Sequence, residues 1–169
     1  MLLDRTGRKP DLWTRGQPDD HAPVLVAWEE WNTQARLGND PDRLGVEIPN
    51  TLAIEDLRPV LSQVGLVAIR FGAFSDGRGL SQARLIRRAG FTGVLRAVGP
   101  LIPDEFGFAL QCGFDEVELP ESSAHRQSED EWLRSLAAYS HTYQQGYRSR
   151  TSILAQRRLA RLSKGQSHA

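Results

Sequence analysis

The sequence predicts an α/β protein: a single domain in which a mainly parallel sheet of four or five strands, as an open sheet or a partial barrel, is flanked by helices. Three observations carry that expectation. Short apolar runs alternate with helix-length amphipathic stretches between Leu44 and Leu119. The connections have the length that parallel crossovers need, and no tight hairpin signal of the kind that joins antiparallel neighbours is read in the chain. Finally, 169 residues with 40% hydrophobic and 25% charged side chains suit one compact core.

The elements follow in order. Residues 1–22 are rich in Asp, Arg, Gly and Pro and lack sustained periodicity, which predicts an irregular lead-in from which Trp13 can dock. The α/β domain is expected over 23–147. Its first apolar run, Val24 to Trp28, reads as a strand or short helix before the turn Gly38-Asn39-Asp40-Pro41-Asp42. Leu44 to Ile48 is a short strand stopped by Pro49. Ile54, Leu57, Leu61 and Val64 then recur near helical spacing, in a helix that Pro59 kinks or shortens.

Leu66 to Phe71 is a buried strand, followed by a glycine loop and a helix from about Leu80 to Ala89, with Gly90 as its stop. Val94 to Val98 is the next strand. Pro103-Asp104-Glu105 opens a helix that Gly113 ends, and Glu116 to Leu119 is the last strand. Ser128-Glu129-Asp130-Glu131 is a capping-box pattern, and Trp132, Leu136, Tyr139 and Tyr143 form the apolar stripe of the helix behind it. Residues 148–169 read as a basic tail or helix, because the lysine and arginines beyond Gln145 stand against no acid.

The balance of 21 basic and 21 acidic residues removes the simplest electrostatic case for a nucleic-acid partner or a membrane surface. No run approaches the length that crosses a bilayer, and Met1-Leu2-Leu3 is followed at once by Asp4, Arg5 and Lys9, so a cytoplasmic protein is expected. A single cysteine, Cys112, excludes an intrachain disulfide and a Cys-x-x-Cys pair, and it reads as a buried structural thiol. His21, His125, His141 and His168 lack the short spacing of zinc or haem motifs, so no metal site is expected, and any cofactor is left unknown.

The strongest candidate site is Phe74-Ser75-Asp76-Gly77-Arg78-Gly79, which lies between a strand and a helix, where α/β folds hold ligand-facing groups. Gly77 and Gly79 let backbone N–H groups approach an anion. Ser75, Asp76, Arg78, Ser81 and Arg84 are therefore expected to converge with them on a positively lined oxyanion or phosphate recess. The structural alternative is that Asp76 caps the helix, Arg78 pairs locally and the later arginines face solvent. Arg96 lies inside an apolar strand and needs partners. Asp76, Asp104 or Asp115 can supply them, in a structural ion pair or an anion clamp. Asp104 and Glu105 serve either acid–base chemistry or the helix dipole.

The strings Phe74-Ser75-Asp76-Gly77-Arg78-Gly79, Ser81, Ala83-Arg84-Leu85, Gly90-Phe91, Leu95-Arg96-Ala97-Val98-Gly99 and Cys112-Gly113-Phe114-Asp115 together resemble the bacterial family Domain of Unknown Function 934. The resemblance runs from about Val24 to Tyr147. It implies an oxidoreductase-linked accessory protein of assimilatory sulfite reduction, encoded beside the sulfite reductase haemoprotein. The implied partner is that haemoprotein or an electron-donor protein. Family members often carry Asp-Gln where this chain has Asp104-Glu105, and Arg before the cysteine where it has Gln111. No catalytic residue is transferred by the resemblance.

Overall fold

In the computed structural model, residues 1–16, 22–31, 40–73 and 75–139 are described. They form one eight-stranded sheet, not the four or five strands expected, with strands β1 (Leu2–Asp4), β2 (Gly7–Lys9), β3 (Thr14–Arg15), β4 (Val24–Ala27), β5 (Leu44–Pro49), β6 (Leu66–Arg70), β7 (Val94–Val98) and β8 (Glu116–Glu118). Its order is β2-β1-β8-β7-β6-β5-β4-β3. Pairing from β3 to β8 is parallel throughout, while β1 runs antiparallel to both β2 and β8. The sheet is thus mixed but mostly parallel.

The N-terminal residues differ most from expectation. Residues 1–16 are not an irregular lead-in: they supply three strands, two of them joined by a tight hairpin. Asp4 pairs with Gly7, whose φ of 124° suits a residue without a Cβ, and the Asp4 carboxylate accepts from both the N–H and the hydroxyl of Thr6 at 2.7 Å. Strands this short carry no readable alternation, which is why periodicity missed them.

Between β5 and β8 the expected elements stand. Helix α1 (Ile54–Leu57) is one turn, shorter than the apolar spacing to Val64 suggested, because Pro59 cannot donate to a continuing helix. Helix α2 (Arg78–Arg88) joins β6 to β7, and α3 (Pro103–Cys112) joins β7 to β8. Pro103 starts α3, and Gly113 ends it at φ 113°, a left-handed conformation that glycine adopts without strain. The short α4 (Glu121–Ala124) precedes α5 (Glu129–Ala138). There the Ser128 hydroxyl accepts from the Glu131 N–H at 3.3 Å and the Glu131 carboxylate accepts from the Ser128 N–H at 2.9 Å, as the capping-box pattern required. Tyr143 and the basic segment 148–169 lie outside the described residues.

Helices α1, α2, α3 and α5 pack on one face of the sheet. Val26, Val46, Ile69, Leu95, Ala97 and Val117 point into that layer and meet Leu57, Ile86, Phe106 and Trp132 in a continuous apolar core. Phe106 and Trp132 are fully buried and stack edge to face at 5.2 Å, tying α3 to α5.

The sheet is strongly curled. Strands β2 and β3 are its opposite edges, yet only Pro10, Asp11, Leu12 and Trp13 join them. Eight flat strands span about 34 Å at the usual spacing, whereas the five steps from Lys9 to Thr14 reach at most about 18 Å. The edges must therefore approach each other. Arg15 on β3 accordingly reaches Glu118 on β8 at 2.8 Å, across a sheet order in which four strands intervene. The result is a half-barrel whose concave side carries no helix among the described residues.

Candidate functional site

Strand alternation decides what lines the concave side. The even-numbered residues of β6, β7 and β8 point there, as do the odd-numbered residues of β4 and β5. Part of this set is apolar: Leu25, Leu66 and Ala68 form a small second core with Trp13, Val94 and Val98. The rest of the set is ionic: Glu47, Arg96 and Glu116 lie in one layer across the sheet with Ala68, and Arg70 and Glu118 lie in the next layer on either side of Val98. Charge and apolar slot thus share one surface.

Arg96 sits at the centre, 1% exposed. Its Nε donates to Glu116 at 2.7 Å, one terminal nitrogen donates to Glu118 at 3.0 Å, and both terminal nitrogens grip Asp11 at 2.8 and 2.9 Å. Burial alone would lower the Arg96 pKa, but the Asp11 and Glu116 carboxylates outweigh it and hold the guanidinium charged well above its ordinary range. Burial likewise works to raise the Asp11 carboxyl, and the hydrogen bonds from Arg96 and the Trp13 N–H overcome it, leaving it below the usual carboxylate value.

Arg15 extends the network. It donates from Nε to Glu47 at 2.9 Å and meets Glu118 through both terminal nitrogens, at 2.8 and 2.9 Å. Arg70 meets the other oxygen of Glu47 at 3.0 Å, and Lys9 meets Glu116 at 2.8 Å. Acid and base therefore alternate from Arg70 to Lys9. A recess of about 480 Å³ opens beside this chain of charges, between Leu2, Arg8, Lys9, Asp11 and Glu118.

Arg96, alone of the residues singled out from the sequence, belongs to this surface. Its partners are Asp11, Glu116 and Glu118 rather than Asp76, Asp104 or Asp115. Asp115 precedes Glu116 by one residue and so faces the other way, where its carboxylate accepts from Arg87 at 2.6 Å and from the Leu95 N–H at 2.9 Å. Asp104 accepts from the Ser135 hydroxyl at 3.2 Å, between α3 and α5.

The glycine loop is a separate place. Asp76 accepts from Arg78 at 2.6 and 2.8 Å and from Asn50 at 2.9 Å, and the bonds from Arg78, the largest influence, hold its carboxyl far below the ordinary range. Arg78 is 63% exposed in its side chain, and Ser75 and Ser81 face solvent. Gly77 has open space where a Cβ would stand, whereas a Cβ on Gly79 would strike the Phe71 ring, so that glycine serves helix packing. Arg84 lies over the Phe108 ring at 5.3 Å. The recess expected from convergence of these arginines does not form: Arg78 pairs locally, Arg84 covers a ring, and Arg96 points out of the opposite sheet face.

Asp11, Arg15, Glu47, Arg70 and Glu118 were missed by sequence reasoning. Arg70 ends an otherwise apolar strand, and Glu47 and Glu118 alternate with the apolar residues of theirs, a signal available in the sequence but common in any half-exposed strand. Among the described residues no group of three or more His, Cys, Asp or Glu side chains is placed to hold a metal ion, and no helix is long and apolar enough to cross a membrane. Cys112 is fully buried, and burial pushes its thiol up despite the neighbouring Arg84.

A curled, mostly parallel sheet with helices on its convex side and a paired ionic surface on its concave side defines an α/β half-barrel protein. The model of a bacterial protein family of unknown function, DUF934, matches residues 45–154, and the chain belongs to that family. No curated protein matches it.

Proposed function

We propose that this protein is an accessory factor of assimilatory sulfite reduction that docks on the sulfite reductase haemoprotein or on the protein that delivers its electrons. The family resemblance supplies the pathway. The observation that carries a docking role is the ionic surface on the concave face, where Arg70, Glu47, Arg15, Glu118, Arg96, Glu116 and Lys9 form one chain of charges that no helix covers among the described residues. Acids and bases there are satisfied by one another, and the carboxyl of Asp11 and the guanidiniums of Arg15 and Arg96 are shifted away from neutrality. Such groups are suited to electrostatic recognition rather than to proton transfer near neutral pH.

Copurification with the sulfite reductase, together with growth on sulfite as sole sulfur source with and without the gene, tests this reading. A salt-sensitive complex and a growth defect are expected; normal growth without association overturns it. Titration with sulfite, sulfate and nucleoside phosphates separates it from an oxyanion-binding enzyme or sensor built on the loop and helix from Asp76 to Arg88. That alternative is favoured by the exposed guanidinium of Arg78 at the start of α2, and it predicts binding heat that Arg78→Ala abolishes.

A further inference from the structure

Residues 10–13 bridge the two sheet edges across the concave face and run into the edge strand β3, and the way this strap of residues 10–15 is held resembles a bound peptide. Asp11, Trp13 and Arg15 alternate, as the inward side chains of an extended segment must. Asp11 is gripped by the two terminal nitrogens of Arg96, the fork geometry by which arginine recognises a carboxylate. Arg15 is held between Glu47 and Glu118. Trp13 lies between these anchors over Gly45, where a Cβ would meet the indole at 3.0 Å.

The outward positions make no such contacts. Leu12 is 70% exposed, and the residues from Pro10 to Gly16 other than Trp13 are exposed. Strand β3 pairs over only two residues. Segments with so little buried apolar area are where proteins open locally. The receptor, by contrast, is built without the strap: Glu116 and Glu118 fix Arg96, and Arg70 fixes Glu47. Its groups, Gly45, Glu47, Leu66, Arg96, Glu116 and Glu118, all lie inside the family-matched span of 45–154, and the strap lies outside it.

We propose that the concave face is a receptor for an extended peptide with the pattern acid–x–aromatic–x–base, occupied in cis by Asp11-Leu12-Trp13-Thr14-Arg15 and taken in trans by a partner that carries the same pattern. The strap sets a threshold, because a partner must compete with a tethered copy of its own ligand. The site would stand whichever pathway the protein serves.

A fluorescein-labelled peptide of residues 9–16 is the probe, read by anisotropy against the full chain and against its Trp13→Ala/Arg15→Ala variant, with folding checked by circular dichroism. The peptide is expected to bind the folded variant at least about tenfold more tightly than the unmodified chain. Replacing its Asp and Arg by Ala should abolish binding, and added salt should weaken it. No binding to the folded variant, or equal affinity for both proteins, overturns the proposal. Should the variant fail to fold, hydrogen exchange of the unmodified chain decides: excess unlabelled peptide should speed exchange at residues 11–15 while β6 stays protected, and unchanged exchange overturns the proposal. A dimer of the unmodified chain that free peptide dissociates would put a second copy's strap where the chain's own is proposed to lie, and would overturn the occupancy in cis.

Discussion

The two faces of the sheet are closed by different physics. The convex face is covered by helices whose Leu, Ile, Phe and Trp side chains leave water altogether, a stabilisation that grows with every square ångström buried. The concave face is crossed by a strap with one half-buried indole and a series of ion pairs whose outer members, Arg15 and Arg70, remain about half exposed. Exposed pairs contribute little and are weakened by salt. Stability therefore resides on the convex side, and the capacity to exchange contacts on the concave side.

The largest effect should come from the helix layer. Trp132→Ala removes a fully buried ring stacked on Phe106 and should cost about 3–5 kcal/mol in urea denaturation. An equally large loss on truncating the strap's Trp13 would break the contrast between faces. Next comes the buried end of the ionic network. Arg96→Ala leaves the buried Glu116 with only the partly exposed Lys9 and should cost about 3 kcal/mol, whereas Arg96→Met combined with Glu116→Leu should recover much of that loss.

Gly79→Ala drives a methyl group into the Phe71 ring and should cost about 1–3 kcal/mol, because the close-packed convex layer cannot give way. Gly77→Ala, two residues earlier in open space, serves as its control. At the exposed end of the network, Arg15→Ala should change global stability by no more than about 1 kcal/mol while speeding hydrogen exchange at residues 11–14.

The smallest global effect is expected from acid. The Asp11 carboxyl is depressed in the folded protein, so its contribution is complete above the ordinary carboxylate value and fades as pH falls through the depressed one. The Trp13 amide should lose protection below about pH 4, the ordinary aspartate range, before the helical core unfolds. Simultaneous loss at both places would merge the two faces into one cooperative unit.

Much of the convex layer was legible in the sequence. The apolar runs at Val67, Ile69, Leu95 and Ala97 declare buried parallel strands, and Pro103, Gly113 and Ser128 mark helix ends through backbone chemistry that depends on a few neighbouring residues. The concave surface was not legible, since its members come together only when the sheet curls. Asp11 and Arg96 are 85 residues apart in the chain, and Arg15 and Glu118 are 103 apart. The Asp76–Arg78 turn drew attention because its residues are adjacent, and adjacency is also why they satisfy one another.

Strand β1 pairs with β2 and with β8, and Leu3 finds Val117 across the sheet. Strand β1 must therefore wait for β8, more than a hundred residues later, before it is paired on both sides. Until then its hairpin is a two-stranded ribbon, marginal in water on its own. The Arg8 N–H finds its acceptor, the Glu129 carboxylate at 2.9 Å, still later in synthesis. Vectorial synthesis thus sets an order of assembly: the parallel strands from β3 to β7 are complete in the nascent chain first, and the β1–β2 hairpin joins the sheet only when β8 has emerged.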